Sequence, residues 1–383
     1  MPIINAITSP APAIITTVDN SGNLVFQNAG TTNMTLDTNQ NAIHTGYISA
    51  PNTFGFKNRT INGAMVINQR GFSSPPSNYD YLTDRFQYRA SQGSKFTATQ
   101  STSIYPSGFT NSLGFTSSSA YTLVSSDQFG IRQFIEGYNI ADLNWGTSSA
   151  QPVTLSFWVY TSLTGTHSGA LGNNGDARAY PFTFTVNSAS TWEYKTVTIA
   201  GDTSGTWLKT NGIGIKVNFN LGAYSNMLGT AGAWTNGEIV GATGSVQVVS
   251  TNGATFYITG VQLEKGSAAT SFDYRPYGTE LQLCQRYFQV APVLYGAALS
   301  TTKLGVGYNY PVVMRSSPTA ALLTSTPYAE WPDNTAFTAS GATMNGTYAV
   351  GGAEFRVSGF SGMTAGRAPM WFQTNQISLS AEL

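Results

Sequence analysis

Cysteine is nearly missing from this chain of 383 residues, where Cys284 is the only one. A lone thiol excludes an intramolecular disulfide framework and a zinc site of the usual cysteine kind. Charge is scarce too, at 9% of residues, against the ~25% common in soluble globular proteins. Lys plus Arg and Asp plus Glu number 18 each, so the formal net charge is zero, and no basic run occurs. Duplex nucleic acid is gripped largely by cationic side chains on its phosphates, so nucleic acid is not expected as a partner. Anionic membrane surfaces are excluded on the same ground. No apolar run approaches the ~20 residues of a membrane-spanning helix, so membrane insertion is not expected either. The opening "MPIINAITSPAPAIITTVDN" lacks a basic start and is broken by Pro2, Pro10 and Pro12. It is unlike a secretory signal, which points to folding in a cytosol.

Catalytic machinery is equally thin. The two histidines, His44 and His167, stand in no HExxH pattern, and no GxSxG nucleophile elbow occurs. Both read as packing or surface residues. Glycosidase chemistry would need two carboxylates flanking a bond. Glu136, Asp142, Asp176, Glu193 and Asp202 are available, but no spacing singles out a pair, and Asp202 in "GDTSG" has turn chemistry around it. A calcium site would need clustered oxygen ligands, and there is no D-x-D run. The expectation is a protein without catalytic residues, metal or cofactor.

What is present is aromatic and neutral-polar. Phe, Trp and Tyr make up 13% of the chain, too many for a disordered one. "VTLSFWVY" alternates, with Leu155, Phe157 and Val159 on one face. "PFTFTVN", "WEYKTVTIAGD", "GIGIKVNFNLG" and "ATFYITGVQLE" repeat the pattern between turn residues. Period-two alternation of this kind predicts antiparallel strands with one face in a core, here a mainly β, jelly-roll-like sandwich over residues 56–277. Ahead of it, residues 1–55 carry short runs such as Leu24/Phe26 and Met34/Leu36, too thin to close a core alone. They suit an attachment or stem segment that packs against identical chains.

After Gly278 the texture changes. "TELQLCQRYF" places Leu281, Cys284 and Phe288 at helical spacing, and Thr279 with Gln282 matches a capping box. One short linker helix is predicted there, followed by a small C-terminal β domain within 278–383. Around the helix Asp273, Arg275, Glu280 and Arg286 crowd together. The cluster reads as a domain junction, with Asp273 or Glu280 pairing with Arg275 or Arg286. Cys284 is packed into it as a small hydrophobe.

The strand faces opposite the core carry the best binding candidates. They hold Thr154, Ser156, Trp158 and Tyr160 on one run and Trp192, Tyr194, Thr196 and Thr198 on another. Trp158, Tyr160, Trp192 and Tyr194 offer flat surfaces beside neutral hydroxyls. That suits a sugar ring, with its apolar C–H face and its rim of hydroxyls. Burial of the same face under a loop or a partner chain is the competing reading, since Trp and Tyr are also enriched at interfaces.

Taken in order, "FKNRTINGAMVINQRG", "YLTDRF", "QFIEGYNIADLNWGTSSAQPVTLSFWVYTSLTGTH", "TWEYKTVTIAGDTSGTW" and "GVQLEKGSAATSFDYRPYGTELQLCQRYF" resemble a family of tailed-bacteriophage fibre and related virion proteins. The middle domain of that family looks like a carbohydrate-binding module. The resemblance spans roughly Phe56 to Phe288, and "SGNLVFQNAGTTNMTLDTNQNAI" is similar to the short repeats that precede such domains. It implies a tail-fibre-type virion appendage, commonly a homotrimer, that attaches to host-surface polysaccharide and contacts other virion proteins through residues 1–55. Capsid decoration, a baseplate part without glycan binding, and a polysaccharide depolymerase stay open as alternatives.

Overall fold

The computed structural model describes residues 24–28, 31–36, 42–44, 56–71, 74–368, 370–373 and 375–383. The chain divides into two units, Met1–Gly55 and Phe56–Leu383. In the first, the strands Leu24–Asn28, Thr31–Leu36 and Ala42–His44 form an antiparallel sheet in that order. The rest of the expected attachment segment, 1–23 and 45–55 included, lies outside the described residues.

The second unit opens with a two-sheet antiparallel sandwich. One sheet has five strands, in spatial order Glu193–Ile199, Val153–Thr161, Thr255–Lys265, Ser112–Ser117 and Phe96–Ser101. The other has seven: Thr235–Asn236, Arg178–Val186, Gly165–Gly172, Ile213–Ala223, Gln128–Glu136, Phe86–Ala90 and Tyr81–Thr83. Alternation decides which side chains meet between them. Leu155, Phe157 and Val159 from one sheet and Phe182, Phe184, Val217 and Phe219 from the other are all in the main core. Phe157 sits edge-on to Phe184 at 4.9 Å and to Phe219 at 5.0 Å, a favoured aromatic geometry. His167 is fully buried in this core, stacked on Phe184 at 5.7 Å, with Nε2 3.0 Å from the Leu163 carbonyl. It is a packing histidine.

The helix runs Tyr277–Gln285, with Pro276 as its N-cap and no side-chain capping bond. The capping box expected from Thr279 and Gln282 does not form. Pro276, with an extended backbone and no N–H, starts the helix at Tyr277, so Thr279 and Gln282 lie inside it, and the first-turn Glu280 bonds Arg275 and the Asn62 N–H. Phe288 also leaves the predicted stripe, because the chain turns at Arg286 and Phe288–Val290 is a strand. That strand joins Ile377–Ser380 and Thr319–Leu322 in a three-stranded sheet. A further seven-stranded antiparallel sheet, from Ala336–Thr338 at one edge to Thr343–Tyr348 at the other, completes the C-terminal part. Its separate core holds Leu304, Val306, Phe355, Val357, Met370 and Phe372.

Candidate functional site

The outer face of the five-stranded sheet is where the aromatics gather. Register places Tyr194 opposite Trp158, Thr196 opposite Ser156 and Thr198 opposite Thr154. On the other flank Tyr257 pairs with Tyr160, and Thr259 with Trp158. The rings then form two adjoining groups. Trp158 and Tyr194 lie 5.4 Å apart, while Tyr160 contacts Trp192 at 5.6 Å and Tyr257 at 5.6 Å. Tyr257 lies so close over Gly114 that a Cβ there would come within 2.2 Å of its ring. All four sequence-predicted aromatics therefore share one face, and Trp158 and Tyr194 open onto a groove that Tyr160 and Trp192 do not line.

That groove has a volume of about 750 Å³, with Trp158, Tyr194 and Thr196 on one side. Ser107 and Phe109 from one loop, and Thr270, Ser271, Phe272 and Tyr274 from another, build the facing side. Phe109, Phe272 and Tyr274 pack as a trio, with ring separations of 4.9 to 5.6 Å. A bulge in Thr255–Lys265 brings this wall up to the sheet, since the ladder shifts between Thr259 and Gln262. Gly260 sits in the bulge at φ +62°, and a Cβ there would lie 2.7 Å from Phe109 and 3.1 Å from Trp158. Glycine alone tolerates both that backbone and that approach.

The loop forming the wall is fastened from beneath. The buried Glu264 accepts from the Thr270 N–H at 2.8 Å, the Thr270 hydroxyl at 2.7 Å and Gln262 at 2.9 Å. Asp273 Oδ2 accepts from the backbone N–H groups of Lys57 and Asn58, and Tyr274 donates to the Gly108 carbonyl at 2.9 Å. No side chain lining the groove carries a charge. The hydroxyls of Ser107, Tyr194, Thr196 and Ser271 make no hydrogen bond within the described residues. The site thus offers stacking surfaces and a neutral, unpaired hydroxyl rim. Phe109, Phe272 and Tyr274 are not among the residues that strand alternation singles out. Two aromatics two residues apart, outside any core strand, were the signal.

The five carboxylates available for hydrolysis are dispersed and paired. Glu136 binds Arg286 and Asp142 binds Arg59; Asp176 binds Lys216, Glu193 binds Lys195 and Asp202 binds Arg178. Burial pushes the Asp202 carboxyl upward, but hydrogen bonds from Arg178, the Ser204 N–H and Trp207, together with the Arg178 charge, hold it below the usual range. Among the described residues no cluster of three or more His, Cys, Asp or Glu side chains could hold a metal ion.

The junction residues come together with one change of partners. Arg275 pairs with Glu280 at 3.1 Å and lies 3.8 Å from Asp273. Arg286, however, pairs with neither acid. It forms a two-pronged bridge to Glu136, at 2.6 and 2.9 Å, and the Tyr287 hydroxyl donates to the same carboxylate at 2.7 Å. The reason is helical geometry: Arg286 leaves the helix at its far end from Glu280, facing the end of the Gln128–Glu136 strand. Arg85 stacks on Tyr287 at 3.6 Å and bridges to Glu382, which also takes Arg70 at 2.9 Å. Cys284 is fully buried with Ile61, Ile67 and Tyr287, and burial pushes its thiol well above the ordinary range, so it is a packing group.

No family model matches the sequence, and no curated protein matches it. Among solved structures, the chain is similar to the enzymatically active domain of tailspike protein 4 of bacteriophage CBA120. Identity there is 12%, over 54% of this chain and 21% of that one, with a TM-score of 0.32. This chain thus spans about a fifth of that tailspike chain's length. It is also similar to TmCBM61 in complex with β-1,4-galactotriose, at 10% identity over 55% of this chain and 99% of that one, TM-score 0.28. A third similar structure is the family 11 carbohydrate-binding module of Clostridium thermocellum with a mixed-linked tetrasaccharide: 11% identity, 48% and 89% coverage, TM-score 0.25. The antiparallel β-sandwich stands on this chain's own strand order. At these values the likeness says nothing of the site, which rests on this chain's own residues.

Proposed function

We propose that the protein is a virion fibre-type component that holds host-surface polysaccharide in the groove over Trp158 and Tyr194, without catalysing a reaction on it. The observation that carries this is the groove's lining: aromatic faces on both sides, free hydroxyls at the rim and no charged side chain. A pyranose presents an apolar C–H face to such rings while its equatorial hydroxyls meet neutral partners. A phosphate or a uronate would find no counter-charge there. In this reading residues 1–55 attach the chain to other virion proteins and identical chains assemble, most simply as a homotrimer. Each groove is shallow and weak, and linked copies gain avidity through effective concentration. The protein would be made in the host cytoplasm and carried on the particle.

Titration of the purified protein with host polysaccharide tests the reading. Trp158→Ala should weaken binding roughly 30-fold, about 2 kcal/mol, as loss of a central aromatic anchor does. Trp192→Ala, outside the groove, should change affinity less than threefold. No new reducing ends should appear on prolonged incubation. Normal binding by Trp158→Ala would show that the groove is not the contact.

A further inference from the structure

Behind the Phe109–Phe272–Tyr274 wall lies a second, smaller pocket of about 260 Å³. Drug-sized sites begin at ~300 Å³, so this one has room for a single sugar residue or its substituent rather than a chain. Its surface is mostly apolar, with Ala64, Val66 and Phe109 in the lining. Two carboxylates, Asp273 and Glu280, and one cation, Arg275, belong to the same lining; Asp273 is the acid with a free oxygen. Its Oδ2 is taken by the Lys57 and Asn58 N–H groups, at 3.0 and 3.2 Å, while Oδ1 has no partner among the described residues. Within the lining Arg275 and Glu280 pair with each other, while Arg275 Nε makes no hydrogen bond among the described residues. Arg275 is held by Glu280 at 3.1 Å and by the Thr60 carbonyl at 3.2 Å, and Lys57 Nζ donates to Thr270 at 2.6 Å.

A pocket with one free carboxylate oxygen, an apolar wall and two carboxylates to one cation selects among sugars. It repels uronates and other acidic residues. It favours a substituent carrying one N–H donor beside one methyl group. We infer that this pocket is a subsite for the acetamido group of a neutral N-acetylated amino sugar. The amide N–H donates to Asp273 Oδ1, and the methyl packs on Ala64, Val66 and Phe109. A plain hydroxyl could satisfy the carboxylate but would leave the apolar wall wet. Because the two sites share the Phe109–Phe272–Tyr274 wall, a chain lying in the groove can place one residue in the pocket. The inference therefore rests on the groove reading above.

The test is a comparison of matched probes on the full chain, followed by tryptophan fluorescence and calorimetry. β-1,4-linked trimers of N-acetylglucosamine and of glucose differ only at the acetamido group, and the N-acetylgalactosamine and galactose trimers form a second pair. In at least one pair the acetylated member should bind tenfold or more tightly. Ala64→Phe, which fills the pocket, should remove that preference while leaving the plain sugar's affinity within threefold. Asp273→Asn, whose single amide oxygen is held by the Lys57 and Asn58 N–H groups so that an NH2 replaces the free acceptor, should lower the preference and serves if Ala64→Phe fails to fold. Equal affinities within both pairs, with binding observed, overturn the subsite and leave the groove standing, as does a preference that survives in folded Ala64→Phe. Binding of no member of either pair, by a protein that also fails to bind host polysaccharide, overturns both.

Discussion

The groove and the junction lie within one compact unit, yet they use opposite chemistry. Across the outer face of the five-stranded sheet, Trp158, Tyr194, Phe109, Phe272 and Tyr274 meet hydroxyls, and no charge lines the space between them. At the junction, Glu136, Glu382, Arg70, Arg85 and Arg286 interlock, and Glu136 and Arg85 have side chains only 1% exposed. In a chain this poor in charge, several ionised groups gather where two cores must be held in register, and none lines the groove. An ion pair is directional and costly to break once desolvated, which suits a fixed joint. Stacking on neutral rings is tolerant and individually weak, which suits repeated reversible contact.

The comparison breaks most visibly at Glu136. Glu136→Ala removes the shared partner of Arg286 and Tyr287 and leaves buried polar groups uncompensated. Such a change costs about 3–5 kcal/mol, so thermal unfolding should drop steeply while any folded fraction binds polysaccharide as before. Loss of affinity in correctly folded protein would mean that joint and groove are not independent.

Gly260→Ala should act on both properties, with the greater effect on binding. An added Cβ at φ +62° strains the bulge and pushes against Phe109 and Trp158, which face each other across it. A destabilisation of about 1–3 kcal/mol is expected, with affinity falling at least as far as in Trp158→Ala. Unchanged affinity, measured by titration, would separate the groove wall from the bulge that carries it.

How much of this was legible in the sequence follows from the range of the interactions. Alternation in "VTLSFWVY" and "GIGIKVNFNLG" is a local property, and it fixed the strands and the faces that Phe157 and Phe219 present. The same alternation put Trp158 and Tyr194 on the outward faces, but their meeting depends on strand register over 36 residues, which no local pattern encodes. The groove's second wall depends on a loop near Phe109 meeting one near Phe272, held by Gln262 and Glu264. Junction charges were visible as a cluster. The partner of Arg286 was not, because Glu136 lies 150 residues away. The capping box failed because the extended Pro276 starts the helix at Tyr277, which places Thr279 and Gln282 within it rather than at its cap.

Arg286→Ala sharpens the contrast with Glu136→Ala. The guanidinium is 30% exposed, so its removal opens the carboxylate partly to water, and the Tyr287 hydroxyl still satisfies one oxygen. A loss of about 1–2 kcal/mol is expected, visible as a modest fall in Tm with affinity unchanged. A cost equal to that of Glu136→Ala would show that the bridge alone, rather than the shared carboxylate, holds the joint.

The smallest effect concerns pH. Burial lowers the pKa of His167 below its ordinary value of 6.5, with the Leu163 carbonyl opposing only in part. The folded protein therefore resists a proton that the unfolded chain accepts. Stability from this group is complete above pH ~6.5 and is lost as pH falls toward the folded-state value, at no more than about 1.4 kcal/mol per pH unit. Nothing lining the groove titrates in the same window, since its polar groups are hydroxyls. Denaturant midpoints should thus decline from pH 7 to pH 5.5, while the affinity of the folded protein for polysaccharide stays level. His167→Phe keeps the stacking on Phe184 and removes the titrating nitrogen, so its stability profile should be flatter over that range. A wild-type slope that persists unchanged in this variant would move the titration to another group. An affinity that follows the same slope would show that core and groove are coupled after all.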